Sequence, residues 1–139
     1  MEPLIVDGTL DSLSEIAKYV MAAGTAAGLD KKAIYQLRLA VDEIATNIIL
    51  HGYQENGMEG NVEVKAEINE KALTIALEDT AIAFDPTQKK PPTDLELPLE
   101  ERKIGGLGVF LAVDGVDQFS YERVENRNRN IFVVQRNSK

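Results

Sequence analysis

The chain has 139 residues, of which 44% are hydrophobic and 27% charged, and this composition is typical of one ordinary globular domain. The net charge of -8 argues against general affinity for nucleic acid or anionic lipid, although backbone N–H groups could still bind an anionic ligand locally. The absence of cysteine excludes disulfides and thiolate-bound zinc, and the presence of one histidine, His51, excludes histidine-based metal clusters.

The first residues lack the basic start and the apolar run of a signal peptide. Since no segment approaches the roughly 20 apolar residues needed to span a bilayer, a cytoplasmic protein is expected. Residues 4–6 form a short apolar run that predicts a first strand. Ser12 and Glu15 then have the spacing of a capping box, which predicts a helix from Ser12 to about Ala27, ended by Gly28.

Asp30 is predicted to cap a second helix, from Lys31 to about His51. Its apolar residues recur at helical spacing, and Glu43 and Asn47 lie beside them, turned only about 40° from one another. A carboxylate can accept a proton and an amide oxygen can hold Mg²⁺, so the pair suggests phosphate chemistry. Taken alone, however, the pair is also typical of a solvated helix surface.

Residues 61–69 and 72–78 alternate between apolar and polar residues, which predicts a hairpin of two strands. Asp79 follows this hairpin and precedes small residues, so it either accepts the exocyclic amine of a base or forms a turn. The polar, proline-rich residues that follow predict a functional loop such as a lid.

Residues 105–108 read Gly-Gly-Leu-Gly and precede a predicted short helix, Val109 to Val113. Their backbone N–H groups could bind phosphate, but the segment is neither a P-loop nor a dinucleotide fingerprint, and a hinge is the alternative. Two last strands are predicted at 116–122 and 130–135, around a turn at 126–128. The element order predicts one α+β domain over residues 1–139, a two-layer sandwich with a mixed sheet and helices on one face.

Taken together and in this order, these features resemble the GHKL superfamily of ATP-binding domains, and specifically its small anti-sigma factor serine/threonine kinase branch. The resemblance covers nearly the whole chain. It is carried by Ala40–Asn47 with His51–Tyr53, by Phe84–Pro86, and by Glu101–Gly108.

The resemblance implies an α/β sandwich of the Bergerat type that binds ATP between the helices and a lid at about residues 86–104. Glu43 would be the general base, Asn47 would hold Mg²⁺, and Asp79 would bind the adenine amino group. Gly106 and Gly108 would direct backbone N–H groups to the phosphates, with Arg102 or Lys103 nearby. The remaining implied nucleotide contacts are Ala81, Phe84 and Leu107.

Two residues depart from the family pattern. Ala81 stands where a glycine is usual, and Val133 is matched to a strand threonine that helps to hold adenine, so both could weaken nucleotide binding. The implied partners are a sigma factor and a small anti-anti-sigma antagonist that the kinase phosphorylates, with a possible homodimer and no direct contact with nucleic acid or membrane. Alternatives are a non-catalytic nucleotide-sensing switch, an ATPase without a protein acceptor and, least favoured, a histidine kinase fragment.

Overall fold

A computed structural model describes residues 1–83, residue 86 and residues 114–136. Two α-helices and five β-strands are found there: β1 (Leu4–Asp7), α1 (Leu13–Ala26), α2 (Lys31–Asn47), β2 (Asn61–Ile68), β3 (Ala72–Asp79), β4 (Gln118–Val124) and β5 (Arg127–Gln135). This α+β architecture confirms the predicted fold class. No helix in these ranges is both long enough and apolar enough to cross a membrane.

The two helices begin differently. The Asp30 side chain accepts a hydrogen bond from the N–H of Ala33 at 2.8 Å, which confirms the predicted cap of α2. Ser12 makes no side-chain capping bond and is buried, so the capping box predicted for α1 is wrong. The helical path after α2 continues as a wider π-helical turn, Ile48–Tyr53. Such turns are often found at functional sites.

The five strands form one sheet in the order β1-β2-β3-β5-β4, and every neighbouring pair in it is antiparallel. The predicted mixed sheet is therefore wrong. Tight hairpins join β2 to β3 and β4 to β5, and such short connections can join only antiparallel strands. At the first hairpin the Asn69 side chain accepts hydrogen bonds from the N–H groups of Lys71 and Ala72, both at 2.8 Å.

One face of the sheet carries the core. The residues of β2, β3 and β5 alternate, and the buried positions line up across the strands: Val62, Val64 and Ala66; Leu73, Ile75 and Leu77; Phe132 and Val134. α1 packs against β1 to β3, and α2 packs against β5. At the edge of this apolar layer, the same face continues with the polar residues Asp79, Asn128 and Asn130, all buried.

Tyr53, the last residue of the π-helical turn, ties the helical layer to the sheet. Its hydroxyl donates to the carbonyl of Asn61 at 2.8 Å and accepts from the N–H of Thr80 at 3.0 Å. Its ring lies against Gly8 and Gly60, where an added Cβ would come within 2.7 Å of a ring carbon. These glycines are therefore required by the close approach of the ring, and Tyr53 fixes the turn that follows β3.

Candidate functional site

A small cavity lies between α2, the π-helical turn and the adjacent ends of β3 and β5. Its volume is about 10 Å³, which is close to the space that one water molecule or one amine group needs. Asn47, Asp79 and Ala81, three of the predicted site residues, meet in its wall. The full lining is Ile44, Asn47, Ile48, Gly52, Asp79, Ala81, Ile82, Pro86, Asn128 and Asn130.

Asp79 is the last residue of β3 and is 1% exposed. Its Oδ1 accepts hydrogen bonds from Asn128 Nδ2 at 2.8 Å and from the N–H of Ala81 at 3.0 Å. Its Oδ2 is buried and has no hydrogen-bond partner in the described part of the chain. Burial raises the pKa of the Asp79 carboxyl, although those hydrogen bonds and the charges of Arg123 and Arg127 oppose the rise. Asp79 therefore offers a buried acceptor to a ligand that carries an N–H donor.

Asn128 holds this carboxylate in place. Besides Asp79, its Nδ2 lies within hydrogen-bond distance of the carbonyls of Ala81, at 3.2 Å, and Ile82, at 2.9 Å. Its Oδ1 in turn accepts from Tyr121 and from Arg123, whose Nη1 also donates to the Ala81 carbonyl at 2.9 Å. The turn after β3 is thus fixed from both sides.

The sequence pattern predicts a turn at residues 126–128 and does not indicate Asn128 or Asn130 as site residues. In the structure both lie on β5 and point to the core face. Asn130 is 2% exposed, lines the cavity, and its Oδ1 has no partner among the described residues. The signal that identifies them is the alternation of Asn128, Asn130, Phe132 and Val134, which places the two amides on the same face as buried apolar residues.

Glu43 and Asn47 lie one turn apart on α2. Asn47 is 7% exposed and lines the cavity, whereas Glu43 is half-buried and is not among the residues in its wall. Burial raises the pKa of Glu43, and the negative charge of the adjacent Asp42 adds to the rise. The helix therefore carries an amide into the cavity and, one turn earlier, a carboxylate with an increased affinity for protons.

A family model, the histidine kinase-like ATPase domain, matches residues 6–134. The chain belongs to this family. The resemblance to the GHKL superfamily that the sequence predicted is thereby confirmed.

Curated relatives of this family member include serine-protein kinases RsbW of several Staphylococcus aureus strains, among them JH9 and Newman. They are 32% identical over 95 residues, which cover 66% of this chain and 60% of the relatives. The chain therefore matches only about 60% of the length of these kinases.

Solved structures with the same fold include the histidine kinase domain of the blue-light activated histidine kinase EL346 from Erythrobacter litoralis. That domain has a TM-score of 0.58 and 16% identity, with 89% of this chain and 59% of that chain covered. A second structure of EL346 has a TM-score of 0.57 and 14% identity, with 88% and 41% covered. At these identities the likeness concerns the fold alone.

The structure corrects the role given to Val133. Val133 pairs with Thr74 and Gln118 across the sheet, one position out of phase with the buried residues of β5. Its side chain therefore lies on the face of the sheet opposite the cavity, where a hydroxyl at position 133 would not line the cavity. The polar groups that β5 supplies to the cavity are the carboxamides of Asn128 and Asn130.

Several predicted site residues lie outside the described residues. They are Phe84, Arg102, Lys103, Gly106, Leu107 and Gly108, and the same holds for the predicted helix at 109–113 and for the predicted lid at 86–104 except Pro86. The nucleotide contacts implied for them remain predictions. Ala81 is described, and it is buried in the cavity wall against Gly52.

The Asn47 carboxamide in the cavity wall is chemically suited to ligate Mg²⁺ that is bound together with a nucleotide. Among the described residues no three His, Asp or Glu side chains come together as a metal site. Asn47 contributes one amide oxygen, and Mg²⁺ in nucleotide sites commonly takes one or two protein ligands and completes its shell with phosphate and water. Asn47 would therefore hold the ion, while Asp79 fits the exocyclic amine of a base.

Proposed function

We propose that this chain is an ATP-binding anti-sigma regulator that phosphorylates a serine or threonine of a small antagonist protein. The observation that carries the proposal is that one cavity wall holds both Asn47 and the Asp79 carboxylate, one oxygen of which has no hydrogen-bond partner among the described residues. Membership of the histidine kinase-like ATPase domain family supports ATP binding, and relatives named serine-protein kinases support the hydroxyl acceptor.

The residues divide the work in a way that phosphoryl transfer requires. The Asp79 oxygen accepts a hydrogen bond from the adenine amine, and Asn47 holds Mg²⁺. Bound Mg²⁺-ATP supplies the phosphoryl group and the charge neutralisation. Glu43 takes the proton from the attacking hydroxyl, and its raised pKa suits this task because a base is most effective when its pKa lies near the working pH.

The partners follow from the same proposal. The phosphorylated protein is a small anti-anti-sigma antagonist, and its modification determines whether a sigma factor stays bound to the kinase. We propose that this exchange takes place in the cytoplasm between soluble proteins, with the kinase as a homodimer. Neither nucleic acid nor membrane takes part directly.

The test combines binding and transfer. Calorimetric titration with Mg²⁺-ATP measures affinity, and radiolabelled ATP with a candidate antagonist measures transfer to serine or threonine. We expect Glu43→Gln to bind ATP nearly as tightly as the wild type and to lose transfer about 10²-fold or more, because only the base is removed. Absence of ATP binding would refute the proposal.

Asp42→Asn is the matched control, since it removes the neighbouring exposed carboxylate on the same helix. Because the charge of Asp42 helps to raise the pKa of Glu43, this variant should keep its maximal rate while the acid limb of its pH–rate profile moves to lower pH. ADP release without a protein acceptor would instead identify an ATPase. Tight binding without any turnover would identify a nucleotide-sensing switch.

A further inference from the structure

The outer face of α2 carries two large apolar residues that the core does not use. Tyr35 is 60% exposed and Leu39 is 47% exposed. They lie four residues apart, so their side chains are neighbours on the helix surface. Single apolar residues are ordinary on a protein surface, but tyrosine is enriched at the centre of protein interfaces, and here it has an apolar neighbour.

This apolar pair leads along the helix to the proposed general base. One row of residues at steps of four contains Tyr35, Leu39, Glu43 and Asn47. Each step rises about 6 Å and turns about 40°, so the row winds from solvent, past the half-buried Glu43, to Asn47 in the cavity wall. Tyr35 therefore lies about 12 Å from Glu43 along the helix axis. An interface of ordinary size covers about 800 Å² on each partner, which is roughly 30 Å across, so one docked protein can cover the pair and reach Glu43.

Positive charge surrounds the apolar pair. Lys31, Lys32 and Arg38 are exposed, and none of them forms an ion pair with a carboxylate in the described part of the chain. The two lysines stand in the first turn of α2, at the positive end of the helix dipole, where they do not stabilise the helix. Segment 31–39 thus has three cations and no anion, although the whole chain has a net charge of -8. This local charge is too small to bind nucleic acid or anionic lipid generally, but together with the apolar pair it complements an acidic protein surface.

We propose that Tyr35 and Leu39 are the docking site of the protein acceptor. The acceptor presents an apolar residue to this pair and acidic side chains to the three surrounding cations. Docking there holds the acceptor beside Glu43, so that its hydroxyl can reach the base. This inference rests on the proposed kinase function and adds to it the surface that selects the acceptor and the chemistry of the acceptor's own surface.

The experiment measures transfer by the full chain at saturating Mg²⁺-ATP, and its probe is the small antagonist protein that the wild type phosphorylates in the assay above. The double variant Tyr35→Ala with Leu39→Ala should raise the KM for this protein about tenfold, because truncation at the centre of an interface weakens binding. Its kcat and its affinity for ATP should stay within about twofold of the wild type, since neither residue lies in the cavity wall. The double variant Lys31→Glu with Lys32→Glu should raise the same KM about tenfold at low salt and less at high salt, because salt screens exposed charges.

Two matched controls change similar side chains elsewhere on the surface. Ile5→Ala truncates an apolar residue that is 61% exposed on β1, on the face of the sheet opposite the helices. Lys71→Glu reverses an exposed charge at the hairpin between β2 and β3. Both should leave the KM for the antagonist unchanged. Thermal unfolding with circular dichroism checks that all variants fold.

Three results would overturn the inference and leave the proposed kinase function standing. An unchanged KM in both double variants would exclude this face as the docking site. A lower kcat at unchanged KM would show that the apolar pair merely supports Glu43. Loss of self-association in the Tyr35 and Leu39 double variant, measured by sedimentation, would assign the face to a second copy of this chain. If the wild type binds ATP but phosphorylates no antagonist, the proposed kinase function itself fails, and the inference with it.

Discussion

Gly52 packs directly against Ala81, so adding a methyl group at position 52 tests how tightly the cavity wall is built. A Cβ placed on Gly52 would lie 2.9 Å from the Cβ of Ala81. Carbon atoms prefer a separation of about 3.5–4.0 Å, so one side must move. Ala81 cannot move freely, because its N–H is bonded to Asp79 and its carbonyl to Arg123 and Asn128.

Gly52→Ala should therefore destabilise the fold. Overpacking of this kind costs about 1–3 kcal/mol, whereas replacing glycine by alanine in a helical segment regains about 0.5–1 kcal/mol. The two effects together leave a net loss centred on about 1 kcal/mol, which lowers Tm by roughly 3–4 °C in a chain of this length. Because displacing Ala81 also disturbs its bond to Asp79, ATP affinity should fall as well.

The double variant Gly52→Ala with Ala81→Gly moves the methyl group from one side of the contact to the other. Its free energy of unfolding, measured with urea, should be higher by about 1 kcal/mol or more than the sum of the two single-variant losses predicts. Ala22→Gly, at an exposed position of α1, is the control: it measures how much alanine stabilises a helix relative to glycine where no packing contact is involved. If the double variant equals the sum of the singles within about 0.5 kcal/mol, the contact does not shape the cavity and the reasoning fails.

Two further predictions concern the carboxylates at the end of β3. Asp79→Asn removes a buried charge, so it should raise Tm at pH 7, and it should also weaken ATP binding. Because folding raises the Asp79 pKa, the wild type becomes more stable as the pH falls and the carboxylate is protonated. The Tm gain of the variant over the wild type should therefore vanish in acid. A gain that is constant from pH 7 to pH 3 would contradict this. Burial alone would raise the pKa of Glu78, but Lys65, Arg127 and Arg129 outweigh it and lower the pKa. The stabilisation by Glu78 is therefore complete above its ordinary pKa of 4.5 and is lost as the pH falls below that value. Glu78→Gln should lower the free energy of unfolding by about 1 kcal/mol at pH 7 and have little effect at pH 3. Equal losses at both pH values, measured by urea unfolding, would exclude the ion pairs as the cause.

Local patterns were sufficient for the elements that are defined by near neighbours. The helical spacing of apolar residues and the Asp30 cap predicted the start of α2, and strict alternation predicted β2 and β3 within about a residue. Asp79 was singled out because it follows an apolar strand. Each of these signals depends only on residues a few positions apart.

Other features depend on contacts between distant parts of the chain. The preference of asparagine for turns predicts a turn at Asn128, yet pairing with β3 extends the strand through this residue and buries its side chain. The order of the strands, with β5 between β3 and β4, is likewise not specified by any local pattern. The family pattern matches Val133 to a threonine that helps to hold adenine, and only the strand register shows that Val133 faces the other side of the sheet.

Tyr53 determines which segments of the fold should unfold together. Its hydroxyl and ring join the π-helical turn to the start of β2, to Gly8 after β1 and to Thr80 after β3. The turn that carries Ala81 cannot unfold locally without breaking these contacts, so these four segments should open as one cooperative unit. Their amide protons should then exchange with solvent at similar free energies, closer to that of global unfolding than to that of a surface loop.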